Sequence, residues 1–188
     1  MTTPQAAPAR NPRTLYLIAF VCFAPAIAAY VAYFYFPRDR QTNYGQLVAI
    51  QPAPAVAGTT LDGKAFALTD LKGRWPVIVT AVGACDKTCE GELYATRQAR
   101  TIQGRERERV VRVWLISDAA TPPAALLAEH PDLVPVRVTR NDGPWPAGPG
   151  AIYLVDPLGN QVLAWPAAPD IKALANDISK LLRASQIG

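Results

Sequence analysis

The longest apolar stretch of the chain runs from Leu15 to Phe36 without a charged residue and closes on Tyr30, Tyr33, Phe34, Tyr35 and Phe36. A helix of that length crosses about 30 Å of hydrocarbon, and aromatics near one end settle at the water interface. The pattern predicts a transmembrane anchor over 15–36. Small residues at Ala24, Ala26 and Ala28 offer a signal-peptide cleavage site, but the apolar run continues well past them, which favours an uncleaved anchor. Residues 1–14, proline-rich and without acidic side chains, read as a short cytoplasmic tail, and residues 37–55, with little periodicity, as a linker.

From residue 56 onward short apolar runs alternate with helix-length polar segments. Asp62-Gly63 predicts a hairpin across Thr59–Leu68, followed by a helical turn or tight loop over Thr69–Trp75. Pro76–Ala81 and Val110–Ile116 read as buried strands separated by a helix over Thr88–Ile102, with Gly104 as its stop. That is the pattern of a parallel strand-helix-strand unit. Pro122–His130 predicts a short helix, and Val134–Thr139 a third strand that Pro135 assigns to a sheet edge. Ala151–Val155 and Gln161–Trp165 flank Asp156-Pro157-Leu158-Gly159-Asn160 as an antiparallel hairpin. Pro169-Asp170 opens a last helix with Ile171, Leu174, Ile178, Leu181 and Leu182 on one stripe. The fold class is α/β, with 56–188 as one domain.

Charge changes this picture little. The chain has 188 residues and a formal charge of +4, and its densest basic patch, Arg105, Arg107, Arg109 and Arg112, is interleaved with Glu106 and Glu108. It reads as a solvated helix end and excludes a nucleic-acid surface.

Cysteine and histidine usage changes it more. With three cysteines, one of them in the apolar segment, and one histidine, a zinc site of the usual four Cys/His ligands is out of reach within one chain except by recruiting carboxylates. Cys22 lies inside the apolar segment and reads as a small hydrophobic residue. Cys85 and Cys89 remain, four apart at a strand-to-helix junction. If the helix begins near Cys85 the two sulfurs share a face, which suits a disulfide or a two-thiolate site for a soft ion such as Cu(I). Cys85, nearer the positive end of the helix, is expected to be the more acidic and accessible sulfur, attacking or receiving metal, with Cys89 shielded and resolving. An inert structural disulfide is the alternative. His130, beside Pro131, reads as a surface or helix-capping residue. The basic residues flanking the apolar stretch, Arg10 and Arg13 against Arg38 and Arg40, orient it weakly, and the cysteine pair favours an extracytoplasmic domain.

The order LDGKAFALTDLKGRW, strand, C-x-x-x-C, helix, Ser117-Asp118 and Thr121-Pro122, then AIYLVDPLGN resembles the Sco/SenC family from about Val56 to the C-terminus. The resemblance implies a thioredoxin-like fold, a central mixed sheet flanked by helices, carried on a single N-terminal transmembrane helix. It further implies a factor in assembly of the CuA centre of cytochrome c oxidase, on the periplasmic side of a bacterial inner membrane. Cys85 and Cys89 would then act by dithiol-disulfide exchange or transient Cu(I) transfer to a partner such as oxidase subunit II or another assembly protein. The sequence departs from the family in three places. Asp86 and Glu90 stand where the family has proline. Ala147-Gly148-Pro149-Gly150 stands where it has a copper-binding histidine, and the connection from Val138 to the late hairpin is shorter. These departures move the expectation away from a three-ligand copper centre, and they leave a non-catalytic scaffold subunit as the alternative.

Overall fold

The computed structural model describes residues 12–35, 43–143, 145, 150–185 and 187. Two compact units divide the chain, residues 1–41 and 42–188. In the first, helix α1 (Pro12–Tyr35) begins three residues before the expected anchor. Proline suits the first helical position, where its missing N–H has no intrahelical partner to lose. The helix is long and apolar enough to cross a membrane, and Cys22 on it is free and exposed. Residues 1–11 and 36, and the side chains of Tyr33–Tyr35 expected at the interface, lie outside the described set.

The second unit is one eight-stranded sheet. Its strands are β1 (Gln46–Pro52), β2 (Val56–Thr60), β3 (Ala65–Ala67), β4 (Trp75–Ala81), β5 (Val110–Ile116), β6 (Leu133–Asn141), β7 (Ile152–Val155) and β8 (Asn160–Trp165), in the order β1-β8-β7-β4-β5-β6-β2-β3. The β4-β5 and β5-β6 pairs are parallel, and the remaining pairs are antiparallel. Helix α2 (Lys87–Ile102) makes the crossover from β4 to β5, as the spacing of the two apolar runs predicts. Helices α3 (Ala124–Glu129) and α4 (Ile171–Ala184) follow β5 and β8.

Alternation along the central strands sends side chains to two cores. Val77, Val79, Trp114 and Ile116 pack on Leu93 of α2 and on Leu174, Ile178 and Leu182 of α4. Ile78, Val113, Leu115 and Tyr153 face the other way, toward Phe66, Leu68 and Trp145. Each large aliphatic buried in these layers contributes about 1.5–3 kcal/mol, so the two cores fix strand register firmly.

Two expectations fail here. Residues 46–52, read as linker, form β1; its side chains are almost all exposed, so no burial alternation marks the strand in the sequence. Strand β6 is not at an edge, because β2 pairs with it on its outer side. Pro135 is tolerated because β2's pairing ends at Val136, leaving proline just beyond that ladder. The hairpins behave as predicted: Gly63 and Gly159 take φ of +83° and +96°, and Asp156 accepts from the backbone N–H groups of Leu158 and Asn160.

Candidate functional site

Strand β4 delivers the chain to a five-residue loop, Val82 to Asp86, ahead of α2. At its start the Gly83 N–H donates to Asp118 Oδ1 at 2.7 Å. A Cβ on Gly83 would lie 2.2 Å from the Ala120 carbonyl oxygen, so only glycine fits this approach. Arg137 on β6 holds the opposing loop, its guanidinium donating to the carbonyls of Asp118 (2.6 Å) and Ala120 (3.3 Å). The cysteine loop is therefore seated against the segment after β5 by the Asp118 carboxylate and by the close approach of Gly83 to the Ala120 carbonyl.

Cys85 lies before the helix, with a left-handed φ of 46°, a conformation that costs a non-glycine residue about 1–2 kcal/mol. Asp86 is the N-cap of α2, its Oδ1 accepting the Cys89 N–H at 2.9 Å. Cys89 sits in the first turn. The expectation that both sulfurs share a helical face is corrected: the Cys85 backbone turns back instead, bringing the two Cα atoms to 5.3 Å and joining the sulfurs in a disulfide. Both cysteines are buried, with Cys85 only marginally the more exposed. The residues are 5% and 3% exposed, because Cys85 tucks into the core that receives α2. Lys87 and Glu90 face solvent.

One turn beyond Cys89, Glu92 joins the buried face of α2, 1% exposed, and its Oε1 has no hydrogen-bond partner. Burial, with the negative charge of Asp86 adding to it, pushes the Glu92 carboxyl up to about 7. Sequence reading passed over this residue. The signal was a carboxylate standing on the stripe Cys89, Leu93, Thr96 and Ala99 where an apolar side chain belongs.

The basic patch divides. Glu106 pairs with Arg109 and Glu108 with Arg107 on the turn after α2. Arg112 instead is fully buried on β5. It donates to the Leu93 carbonyl (2.6 Å), Thr96 Oγ1 (3.2 Å) and Asp132 Oδ1 (3.0 Å), with His130 Nδ1 at 3.5 Å. Reading Arg112 as part of a solvated helix end is thus corrected. His130 caps α3 as expected but is 3% exposed, not on the surface. Burial and the neighbouring Arg112 lower its pKa. Its ring is engaged with Arg112 and is not gathered with the cysteines.

Among the described residues no three His, Cys, Asp or Glu side chains converge as a metal site. Opened to thiolates, Cys85 and Cys89 would supply the two soft donors that Cu(I) accepts, whereas among the described residues the N/O donor set preferred by Cu(II) is not assembled. Residues 147–149, where the family histidine would fall, lie outside the described set, and Gly150 takes a φ of +81°.

A mixed sheet whose parallel strand-helix-strand unit carries a cysteine pair at the strand-to-helix turn defines a thioredoxin-like domain. The chain belongs to the family described as the transmembrane-like, thioredoxin-like, C-terminal domain, which matches residues 75–185. No curated protein matches it. Among solved structures it is similar to yeast Sco1 with copper bound (TM-score 0.59, 18% identity, 73% of this chain and 96% of that one). It is similar also to Arabidopsis thaliana ScoI with copper bound (TM-score 0.56, 20% identity, 71% and 99%). A third is the thioredoxin domain of a thiol-disulfide oxidoreductase from Bacteroides vulgatus (TM-score 0.52, 19% identity, 73% and 99%). These identities establish the fold, and at that level the Sco/SenC resemblance holds. The apolar helix α1 fits a single-pass membrane anchor.

Proposed function

We propose that this protein is a membrane-anchored thiol-disulfide exchange factor working through Cys85 and Cys89, with its domain on the periplasmic side of a bacterial inner membrane. The observation that carries the reading is the disulfide at the β4-α2 turn. A merely structural crosslink has no need of a left-handed cysteine ahead of a capped helix, beside a loop clamped by Asp118 and Arg137. The Sco-like fold supports cytochrome c oxidase assembly as the setting, with oxidase subunit II or another assembly protein as the partner whose cysteines are reduced or reoxidised. Transient passage of Cu(I) as cargo is a second reading, favoured by the two soft donors the reduced pair would present.

The test uses the full chain in detergent, equilibrated in glutathione redox buffers and titrated with Cu(I) against a competing chelator, beside Cys85→Ser and Cys89→Ser. A reversible two-electron couple, lost in both variants, is expected. A pair that stays oxidised across the whole glutathione range and binds no Cu(I) after forced reduction would leave a scaffold subunit with a structural crosslink.

A further inference from the structure

Exposed aliphatic side chains are not scattered over the second unit. Among its described residues the large hydrophobic side chains most open to solvent are Ile50 (80%), Leu47 (71%) and Leu158 (65%), and all three lie along one edge of the sheet. Leu47 and Ile50 are on β1, the first strand in the sheet order. Leu158 is on the β7-β8 turn. That turn meets the end of β1, where Pro52 pairs with Asn160 and the Ala53 N–H donates to the Gly159 carbonyl at 2.9 Å. Tyr44, also exposed, opens the row, its hydroxyl accepting the Asp170 N–H. Single surface hydrophobes need no explanation, but a row of them does.

Charge marks this edge off. No charged residue occurs between Arg40 and Asp62. The opposite edge, β3, is three residues long and preceded by the Asp62–Lys64 ion pair, the usual protection of a sheet edge. Another strand is a poor occupant for β1, because its register with β8 shifts between Leu47 and Gln51 and it ends on Pro52. An irregular ladder and a missing donor interrupt the pairing an added strand needs. At the Leu158 end stands a cation: Lys72 is exposed, and its Cε lies 3.5 Å from where a Cβ on Gly159 would be. Asp156, in the same turn, has both oxygens engaged by the Leu158 and Asn160 N–H groups and the Asn160 amide. An apolar row with a cation at its end suits the surface of an anionic bilayer.

Along the chain this edge is the part of the unit next to the apolar helix. Residues 36–45, between α1 and β1, amount to no more than about 36 Å of chain. The Gly45 N–H, bound to Asp177 Oδ2 at 2.8 Å, fixes the end of that tether on the unit. A surface on so short a tether is at high effective concentration, so a contact weak on its own is occupied.

We propose that the edge formed by β1 and the β7-β8 turn docks on the bilayer surface. Leu47, Ile50 and Leu158 enter the boundary between headgroups and acyl chains, and Lys72 meets lipid phosphates. This rests on the membrane-anchored part of the reading above and not on thiol exchange. The cysteine turn follows β4, three strands inward, and is not among the docking residues.

The test uses the full chain carrying Cys22→Ser, in vesicles of phosphatidylcholine and phosphatidylglycerol. A nitroxide is attached in turn through Leu47→Cys, Ile50→Cys, Leu158→Cys and, as an exposed apolar position away from the edge, Ile102→Cys. Collision with oxygen, which concentrates in lipid, is compared with collision with a water-soluble nickel complex. Oxygen is expected to dominate at 47, 50 and 158, and the nickel complex at 102. Lys72→Gln should shift the Leu158 label toward the nickel complex; an unmoved label overturns the pairing of Lys72 with phosphate. Dominance of the nickel complex at the three edge positions overturns the docking, and so does exclusion of both reagents, the sign that a second copy or another protein covers the edge. A chain that alkaline carbonate washes off the vesicles overturns the anchor reading, and the docking with it.

Discussion

The guanidinium of Arg112 meets Asp132 Oδ1 at 3.0 Å, and the two partners are unequally placed: the Arg112 side chain is 1% exposed and that of Asp132 25%. Burial lowers Arg112 to about 10, with Asp132 opposing the shift, so the arginine stays charged at neutral pH.

That asymmetry predicts unequal mutants. Asp132→Ala leaves a buried cation without its anion and is expected to cost about 3 kcal/mol. Arg112→Met leaves a carboxylate that can turn to water and is expected to cost less. Urea midpoints of the two variants decide it; a larger loss in Arg112→Met would show that its bonds to Thr96 and the Leu93 carbonyl matter more than the pairing.

Glu92 ties stability to pH with a definite sign. Its folded pKa, about 7, lies above the ordinary carboxyl value of 4.5, so the folded state holds the proton more tightly. The associated stability is fully present below about pH 4.5 and is lost as pH rises through 7, by about 3 kcal/mol at most. Thermal melts of wild type against Glu92→Gln should show that slope in wild type alone, with the variant the more stable at pH 8.

His130 acts in the opposite sense. Burial first, then the positive charges of Arg112 and Arg97, lower its folded pKa, against the opposing charges of Glu129 and Asp132. Its neutral form is favoured on folding, so stability is present above about pH 6.5 and is lost as pH falls below it. His130→Gln should melt at nearly the same temperature at pH 5 and pH 7, after subtraction of the slope that Glu92 sets in both proteins. An unchanged acid-side loss in the variant would assign that loss to other groups.

Gly83→Ala is predicted to disturb the site through backbone alone. The new Cβ meets the Ala120 carbonyl at 2.2 Å, and Arg137 holds that carbonyl in place, so the cysteine loop must yield. A loss of about 1–3 kcal/mol and an altered glutathione equilibrium of the Cys85–Cys89 pair are expected. Gly91→Ala, within α2 and with nothing inside 4 Å of the new Cβ, supplies the control: it should gain about 0.5–1 kcal/mol from helix propensity and leave the glutathione equilibrium unchanged.

Much of the domain was legible because its signals were local. The Asp62-Gly63 and Asp156-Asn160 turns, the Asp170 cap and the stripe on α4 each lie within a few residues of the structure they encode. The Cys85–Cys89 pair was legible as a pair, but its geometry was not: neither the left-handed turn of Cys85 nor the approach of Gly83 to Ala120 is recorded in local spacing. Arg112 and Glu92 were hidden for a related reason. A charged residue within a polar-looking neighbourhood reads as surface until the sheet decides which side it faces. Strand β1 lacked alternation because its edge leaves both faces wet.

One contact bears on how the domain comes into being. The Gly45 N–H and Trp165 Nε1 both donate to Asp177 Oδ2, at 2.8 and 3.1 Å, and Gly45 lies 132 residues ahead of Asp177 in the chain. Beside it, among the described residues, β1 pairs with β8 at the edge of the sheet. A chain emerging N-terminus first must therefore carry Leu47 and Ile50 on an unpaired strand until nearly the whole protein has been released. Closure is late and happens at once, so the time between the first strand and the last helix is when a neighbouring chain can take the place of β8.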